Sequence, residues 1–214
     1  MRWTGHHRCT HGGSRCVEDD GGVTSPDPRA EGAPAQPATE ASLLPRRVGL
    51  FAATATVALT LDVITKVVAV AVLEGRDPVR LLGGGLYLVL YRNPGAAFSL
   101  ATGLTWLLTL IAVVVVIAIV RLAPRLRSPG WASGLGLVLG GALGNLVDRF
   151  FRSPGPLRGH VVDFLSLLAP DGSVWPVFNL ADSAIVSGGA LLVLLAMLGR
   201  DYDGTTTRQR RDAQ

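Results

Sequence analysis

Cysteine is nearly absent from the chain. Its 214 residues include two, Cys9 and Cys16, both close to the start. The rest of the sequence therefore offers no thiol nucleophile, no disulfide and no thiolate metal site. Histidine is almost as scarce, with His6, His7 and His11 near the start and only His160 beyond them. A serine or cysteine nucleophile needs a base beside it, and here the parts for that are few. No HExxH run and no EF-hand loop is present, so neither of those metal sites is encoded. Charge is thin as well, at 17% of residues, against about 25% in a typical soluble domain. Residues 103–120 carry none. These shortages exclude an ordinary soluble globule and a disulfide-stapled secreted module.

What fills the space is apolar. Hydrophobic residues make up 49% of the chain and the mean hydropathy is +0.39. The reading is an all-α polytopic membrane protein behind a polar tail. Residues 1–44 are rich in Gly, Pro, Ala and acids, a composition that predicts disorder. The His and Cys residues of that tail match no closed zinc site. No apolar run follows the basic start, so a cleaved signal peptide is not expected, and neither cysteine follows one either, which argues against a lipoprotein precursor.

Four apolar stretches follow, each near the ~20 residues a helix needs to cross a bilayer. They cover about 48–73, 103–120, 131–150 and 179–199, inside a membrane domain of 45–200, with a basic cytoplasmic tail at 201–214. The third stretch is the least apolar, but Gly136, Gly140 and Gly144 recur at i, i+4, i+8 and make a small-residue stripe suited to close helix packing. The connections differ in kind. Residues 121–130 form a short loop with Arg121, Arg125 and Arg127 and no acid. Residues 74–102 contain LYLVLY at 86–91, which reads as a strand, and end in the turn signal Asn93-Pro94-Gly95. Residues 151–178 form a long loop with Asp163.

The formal net charge is +4, and 19 of the 20 basic residues are Arg, Lys66 being the exception. The Arg residues sit at the ends of apolar runs, where they set membrane orientation, rather than forming a nucleic-acid surface. The Arg-only 121–130 loop assigns the cytoplasmic side, so both termini are expected inside. On that topology the unusual polar residues converge on the outer face. Asp62 and Lys66 lie in the distal half of span one, Asn93 in the first outer loop, and Asn145, Asp148 and Arg149 at the distal end of span three. Asp163 lies in the second outer loop, and Asn179 and Asp182 open span four.

Intramembrane charges cost about 2.5–3.5 kcal/mol each on insertion scales, so they call for a reason. Plain structural roles exist for several. Asp62 and Lys66, at i, i+4, can pair with each other. Arg149 can snorkel, Asp148 needs a partner such as Arg149 or nearby backbone, and Asn179-x-x-Asp182 reads as an N-cap with an acid at N3. Asp163, set in the apolar run HVVDFL, lacks a local basic partner. Two carboxylates at one interface, Asp163 and Asp182, could share a proton and divide acid and base roles. Intramembrane acids also serve transporters and proton relays, but those predict broken helices and internal repeats, and the sequence has neither. A lipid-processing enzyme that uses its acids with a metal is the other alternative.

Five segments taken together are more specific. LDVITK at 61–66, RNPGAAFS at 92–99, GGALGNLVDR at 140–149, VVDF at 161–164 and FNLADSAI at 178–185 occur in order. The chain in this respect resembles the lipoprotein signal peptidase family, bacterial signal peptidase II, over about residues 48–199. The resemblance implies a four-helix aspartic endopeptidase of the bacterial cell membrane with a small extracytoplasmic β element, built here around 82–99. Such an enzyme removes the signal peptide of prolipoproteins just before the cysteine that carries diacylglyceryl. It implies a catalytic pair at Asp163 and Asp182, with Asp62, Lys66, Asn93, Gly95, Asn145, Asp148, Arg149 and Asn179 in support. Prolipoproteins and membrane lipids would be its partners, nucleic acid would not, no metal or other cofactor is expected, and the enzyme would act as a monomer. Two features depart from the family pattern: the polar tail, and the Pro/Gly-rich connection RFFRSPGPLRGH at 149–160.

Overall fold

The computed structural model describes residues 45–95 and 105–207. The 1–44 tail, the AAFS portion of the 92–99 segment and the basic residues from Arg208 onward lie outside the described residues. Among the described residues, four helices are long and apolar enough to cross a membrane. They are α1 (Val48–Leu73), α2 (Thr105–Leu122), α3 (Pro129–Phe151) and α4 (Leu180–Met197). The described residues also form three strands, β1 (Val79–Leu81), β2 (Leu86–Asn93) and β3 (Val161–Leu167).

Helix α3 is the centre of the bundle, since α1, α2 and α4 all pack on it. Its glycines explain how. A β-carbon at Gly136 would stand 2.8 Å from the Thr54 side chain of α1, and one at Gly188 of α4 would stand 2.6 Å from the Gly134 carbonyl. Gly140 and Gly141 press in the same way against the Ala55 and Ala181 backbones. Lipid provides no hydrophobic drive for helices to associate, so close backbone approach and van der Waals packing must do it. The outward faces of α1, α2 and α4 keep their aliphatic residues exposed, among them Val57, Val114 and Val186, as contact with acyl chains requires.

At one end of the bundle, Leu126 is fully buried. Its carbonyl accepts the Arg47 N–H at 2.8 Å, and the Tyr202 carbonyl accepts the N–H groups of Arg127 and Ser128. Trp131 donates its indole N–H to the Arg200 carbonyl and meets Tyr202 edge-on. The chain after α4 thus folds back beneath the 123–128 turn.

The opposite end carries the sheet, antiparallel in the order β1-β2-β3. Phe164 of β3, with Leu88 and Leu90 of β2, packs on Ala69 and Leu73 at the end of α1. The sequence reading placed the β element around 82–99 and put Asp163 in a loop. The sheet is wider, because Val161–Leu167 is its third strand, with Tyr91 opposite Asp163 and Asn93 opposite Val161. That strand shows no polar–apolar alternation because both of its faces are covered, residues 161–164 being buried.

Candidate active site

Asp163 sits in the middle of β3 and is 1% exposed. Neither of its carboxylate oxygens is bare. Asn93 donates Nδ2 to Oδ2 at 2.9 Å and Asn179 donates Nδ2 to Oδ1 at 2.6 Å. The Asn93 amide is aimed by its own turn, since the Gly95 N–H donates to Asn93 Oδ1 at 2.8 Å. Gly95 has φ 114°, a conformation that favours glycine. A β-carbon there would also stand 3.3 Å from Arg149 Nη2. Burial pushes the Asp163 carboxyl up to about 7; the Asn93 donation opposes this, and the nearby charge of Asp182 adds to it.

Asp182 lies on the first turn of α4 and is half-buried. Asn179 caps that helix: its Oδ1 accepts the Asp182 N–H at 2.9 Å, while Asp182 Oδ2 accepts the Asn179 N–H at 3.2 Å. This is the capping box expected from the Asn179-x-x-Asp182 spacing. Asp182 Oδ1 takes a further N–H from Asn145 Nδ2 at 2.8 Å. One side chain, Asn179, therefore touches both aspartates, donating to Asp163 and organising the turn that presents Asp182.

Behind this pair lies a buried ionic group. The Lys66 ammonium, 1% exposed, stands 2.8 Å from Asp62 Oδ2, 3.1 Å from Asp148 Oδ2 and 2.9 Å from Asn145 Oδ1. Asp62 also accepts the Ala181 N–H at 2.9 Å, one of the orphan donors at the start of α4. Asp148 accepts the Val162 N–H at 3.0 Å, which ties α3 to β3. Its other cation is Arg152, the residue just past the end of α3, rather than the adjacent Arg149. Arg152 was missed in the sequence, although the i, i+4 spacing signals it. Two cations thus offset two carboxylates, with Arg152 partly exposed at the edge of the group.

Arg149 points elsewhere. It donates to the Gly159 carbonyl at 3.2 Å, lies beside Gly95, and its charge interacts with Asp163, Asp148 and Asp182. It also lines a cleft of about 260 Å³ between α2, α3 and α4, together with Leu108, Thr109, Ala112, Asn145 and Ile185. Ile185 follows Asp182 by three residues, so the two share a helix face. A larger groove of about 510 Å³ runs along the other side of α4, lined by Thr54, Leu61, Leu137 and Ser183, and contains none of these carboxylates. Thr105 and Thr109 of α2, a further pair the sequence reading passed over, grip the carbonyls of Pro94 and Leu157 and so hold the connections that contain those residues against the cleft. All ten residues singled out from the sequence belong to one connected cluster.

Comparisons with known proteins agree with this picture. The family model described as signal peptidase (SPase) II matches residues 54–198. The lipoprotein signal peptidase of Rhodococcus jostii (strain RHA1) is 56% identical over 188 residues, covering 88% of this chain and 90% of its own. That of Mycobacterium tuberculosis (strain ATCC 25618 / H37Rv) is 56% identical over 168 residues, covering 78% and 80%. Among solved structures, a bacterial membrane enzyme determined by the in meso method at 1.9 Å resolution aligns with a TM-score of 0.60. It is 25% identical, and the match covers 72% of this chain and 96% of that one. The chain belongs to the signal peptidase II family and is a multi-pass membrane peptidase.

Proposed function

We propose that the protein is an aspartic endopeptidase that removes the signal peptide from diacylglyceryl-modified prolipoproteins, cutting before the lipidated cysteine without a metal. The observation that carries the reading is the Asn179 side chain, which donates to Asp163 at 2.6 Å and caps the turn bearing Asp182. The two carboxyls are thereby held in one cluster but in different surroundings. Asp163 is the more buried, and with its carboxyl raised to about 7 it holds a proton near neutral pH. Asp182 is the more open and lies about one helical turn before Ile185, which lines the cleft, and it is the base.

The steps balance without a further reactant. Asp182 takes a proton from water as the water oxygen attacks the scissile carbonyl carbon. Asp163 gives its proton to the carbonyl oxygen, so the tetrahedral intermediate is a neutral diol. Asp182 then protonates the amide nitrogen as the C–N bond breaks, and Asp163 recovers its proton as the carbonyl reforms. Both carboxyls return to their starting states. The substrate's acyl chains occupy the α2–α3–α4 cleft, which is apolar along Leu108, Ala112 and Ile185 and turns polar at Asn145 and Arg149. Arg149 is positioned to meet the ester carbonyls of the diacylglyceryl group.

The site then faces the extracytoplasmic side of the bacterial cell membrane, with both termini inside, and the enzyme works as a monomer among membrane lipids. The test is cleavage of a precursor peptide by the purified protein in detergent, with and without diacylglyceryl on the cysteine and with and without a chelator. Cleavage that requires the lipid and withstands the chelator is expected. Indifference to the lipid, or loss of cleavage with chelator, overturns the reading.

A further inference from the structure

Lys66 does more than neutralise charge. An asparagine amide has two ends of nearly equal size, and what surrounds it decides which end points where. Asn145 must present its NH₂ to Asp182 Oδ1, at 2.8 Å, for that contact to be attractive. The reversed amide would set oxygen against oxygen. The other end of the amide settles the choice. Asn145 Oδ1 accepts from Lys66 Nζ at 2.9 Å and from Asn179 Nδ2 at 3.2 Å. Reversal would turn the NH₂ onto an ammonium, donor against donor.

The ammonium itself cannot turn away. It donates to Asn145 Oδ1 and is ion-paired with both Asp62 Oδ2 and Asp148 Oδ2. The Asn179 amide is a weaker lock, because its Nδ2 is shared with Asp163 and with the Val162 carbonyl. A chain of contacts thus runs from the α1–α3 interior to one catalytic carboxylate.

We propose that Lys66 is a positioning residue for catalysis, fixing the Asn145 amide so that its N–H holds Asp182 in place. This rests on the Asp163/Asp182 reading above. Two further consequences follow. The role belongs to the N–H donation and not to the charge alone, and it is exercised entirely through Asn145.

The test separates donation from charge. In Asp62→Asn/Lys66→Met both charges leave together, the Asn oxygen still caps Ala181, and Met fills much of the Lys volume. Asp148 keeps Arg152 and the Val162 N–H. The kinetics are read on purified, folded protein beside Asp182→Asn. A fall in kcat on the order of 10-fold to 10²-fold is expected, as for a displaced catalytic group, with KM nearly unchanged. Asn145→Leu should lose a similar factor, and combining the two should add little, since they act on one contact. Asn145→Leu by itself leaves the Asp62, Lys66 and Asp148 ion pairs in place and cannot donate to Asp182, so it tests the same contact even where the double variant fails to fold; a loss of kcat supports the proposal. Full kcat in Asn145→Leu or in the double variant, or losses that multiply, overturns it while the dyad stands. An active Asp182→Asn overturns the dyad reading and this inference with it.

Discussion

The Asp62 carboxylate, inside α1, accepts the backbone N–H of Ala181 at the start of α4, across 119 residues of sequence. With its second oxygen on Lys66, Asp62 joins the capping of one helix to the ion pairing of another. The site is therefore braced by the bundle: a shift of α1 against α4 breaks a hydrogen bond one residue from Asp182.

Removal of the cation should be costly. In Lys66→Ala, Asp62 loses its partner in the interior, and breaking a buried pair costs about 3–5 kcal/mol. Lower protein levels and a lower unfolding temperature in detergent are expected, along with reduced cleavage. Adding Asp62→Asn should recover part of the stability, because it removes the stranded charge. Normal accumulation and an unchanged melting curve for Lys66→Ala would contradict this account of the ionic group.

The raised carboxyl of Asp163 makes a signed prediction about pH. Its ordinary value is 3.8 and in the fold it lies near 7. Between those limits the folded protein holds a proton that the unfolded chain has released. The contribution of Asp163 to stability must therefore fall as pH rises from about 4 to about 7, the reverse of the salt-bridged carboxylate case. Asp163→Asn removes this effect, so the variant should be more stable than the parent above pH 7, the gap closing toward pH 4. Thermal unfolding of both proteins across that range checks it, and a gap that is independent of pH would contradict it. The parent's kcat/KM should also decline on the alkaline side near pH 7, as the acid is lost.

Much of this was legible in the sequence, and the remainder has physical reasons. The spans were readable because the bilayer fixes helix length and composition. The convergence of Asp62, Asn93, Asn145, Asp163 and Asp182 followed from topology alone, which sends alternate span ends to one side. The capping box at Asn179 was readable because caps are local. Strand β3 was not, because Val161–Leu167 is covered on both faces and so lacks the period-2 pattern. The Arg152 partner of Asp148 went unread, because Arg149 also follows Asp148 closely and only the direction of each side chain separates the two. The reach of Asn145 to both Lys66 and Asp182 is a tertiary fact with no sequence signature.

Orientation can be measured with thiol labelling in a background lacking Cys9 and Cys16. The inner loop needs an accessible position: Ser128 is buried, whereas Arg125 and Ser173 are exposed. A cysteine at position 173 should react with an impermeant reagent in intact cells, and one at position 125 should be protected until the membrane is opened. The reverse pattern would put the carboxylates on the cytoplasmic side.

The central claim is that Asp163 and Asp182 exchange protons with the substrate as one unit. Its most direct measurement is precursor cleavage by purified Asp163→Asn, Asp182→Asn and the double variant, each checked for folding and substrate binding. Asparagine keeps the size of the side chain and some of its hydrogen bonds but cannot exchange the proton. Each single variant should lose at least the ~10²–10⁴-fold typical of lost acid–base catalysis, and the double variant should be little worse than either. Substrate binding should remain close to that of the parent. Substantial turnover by either folded single variant would contradict the account.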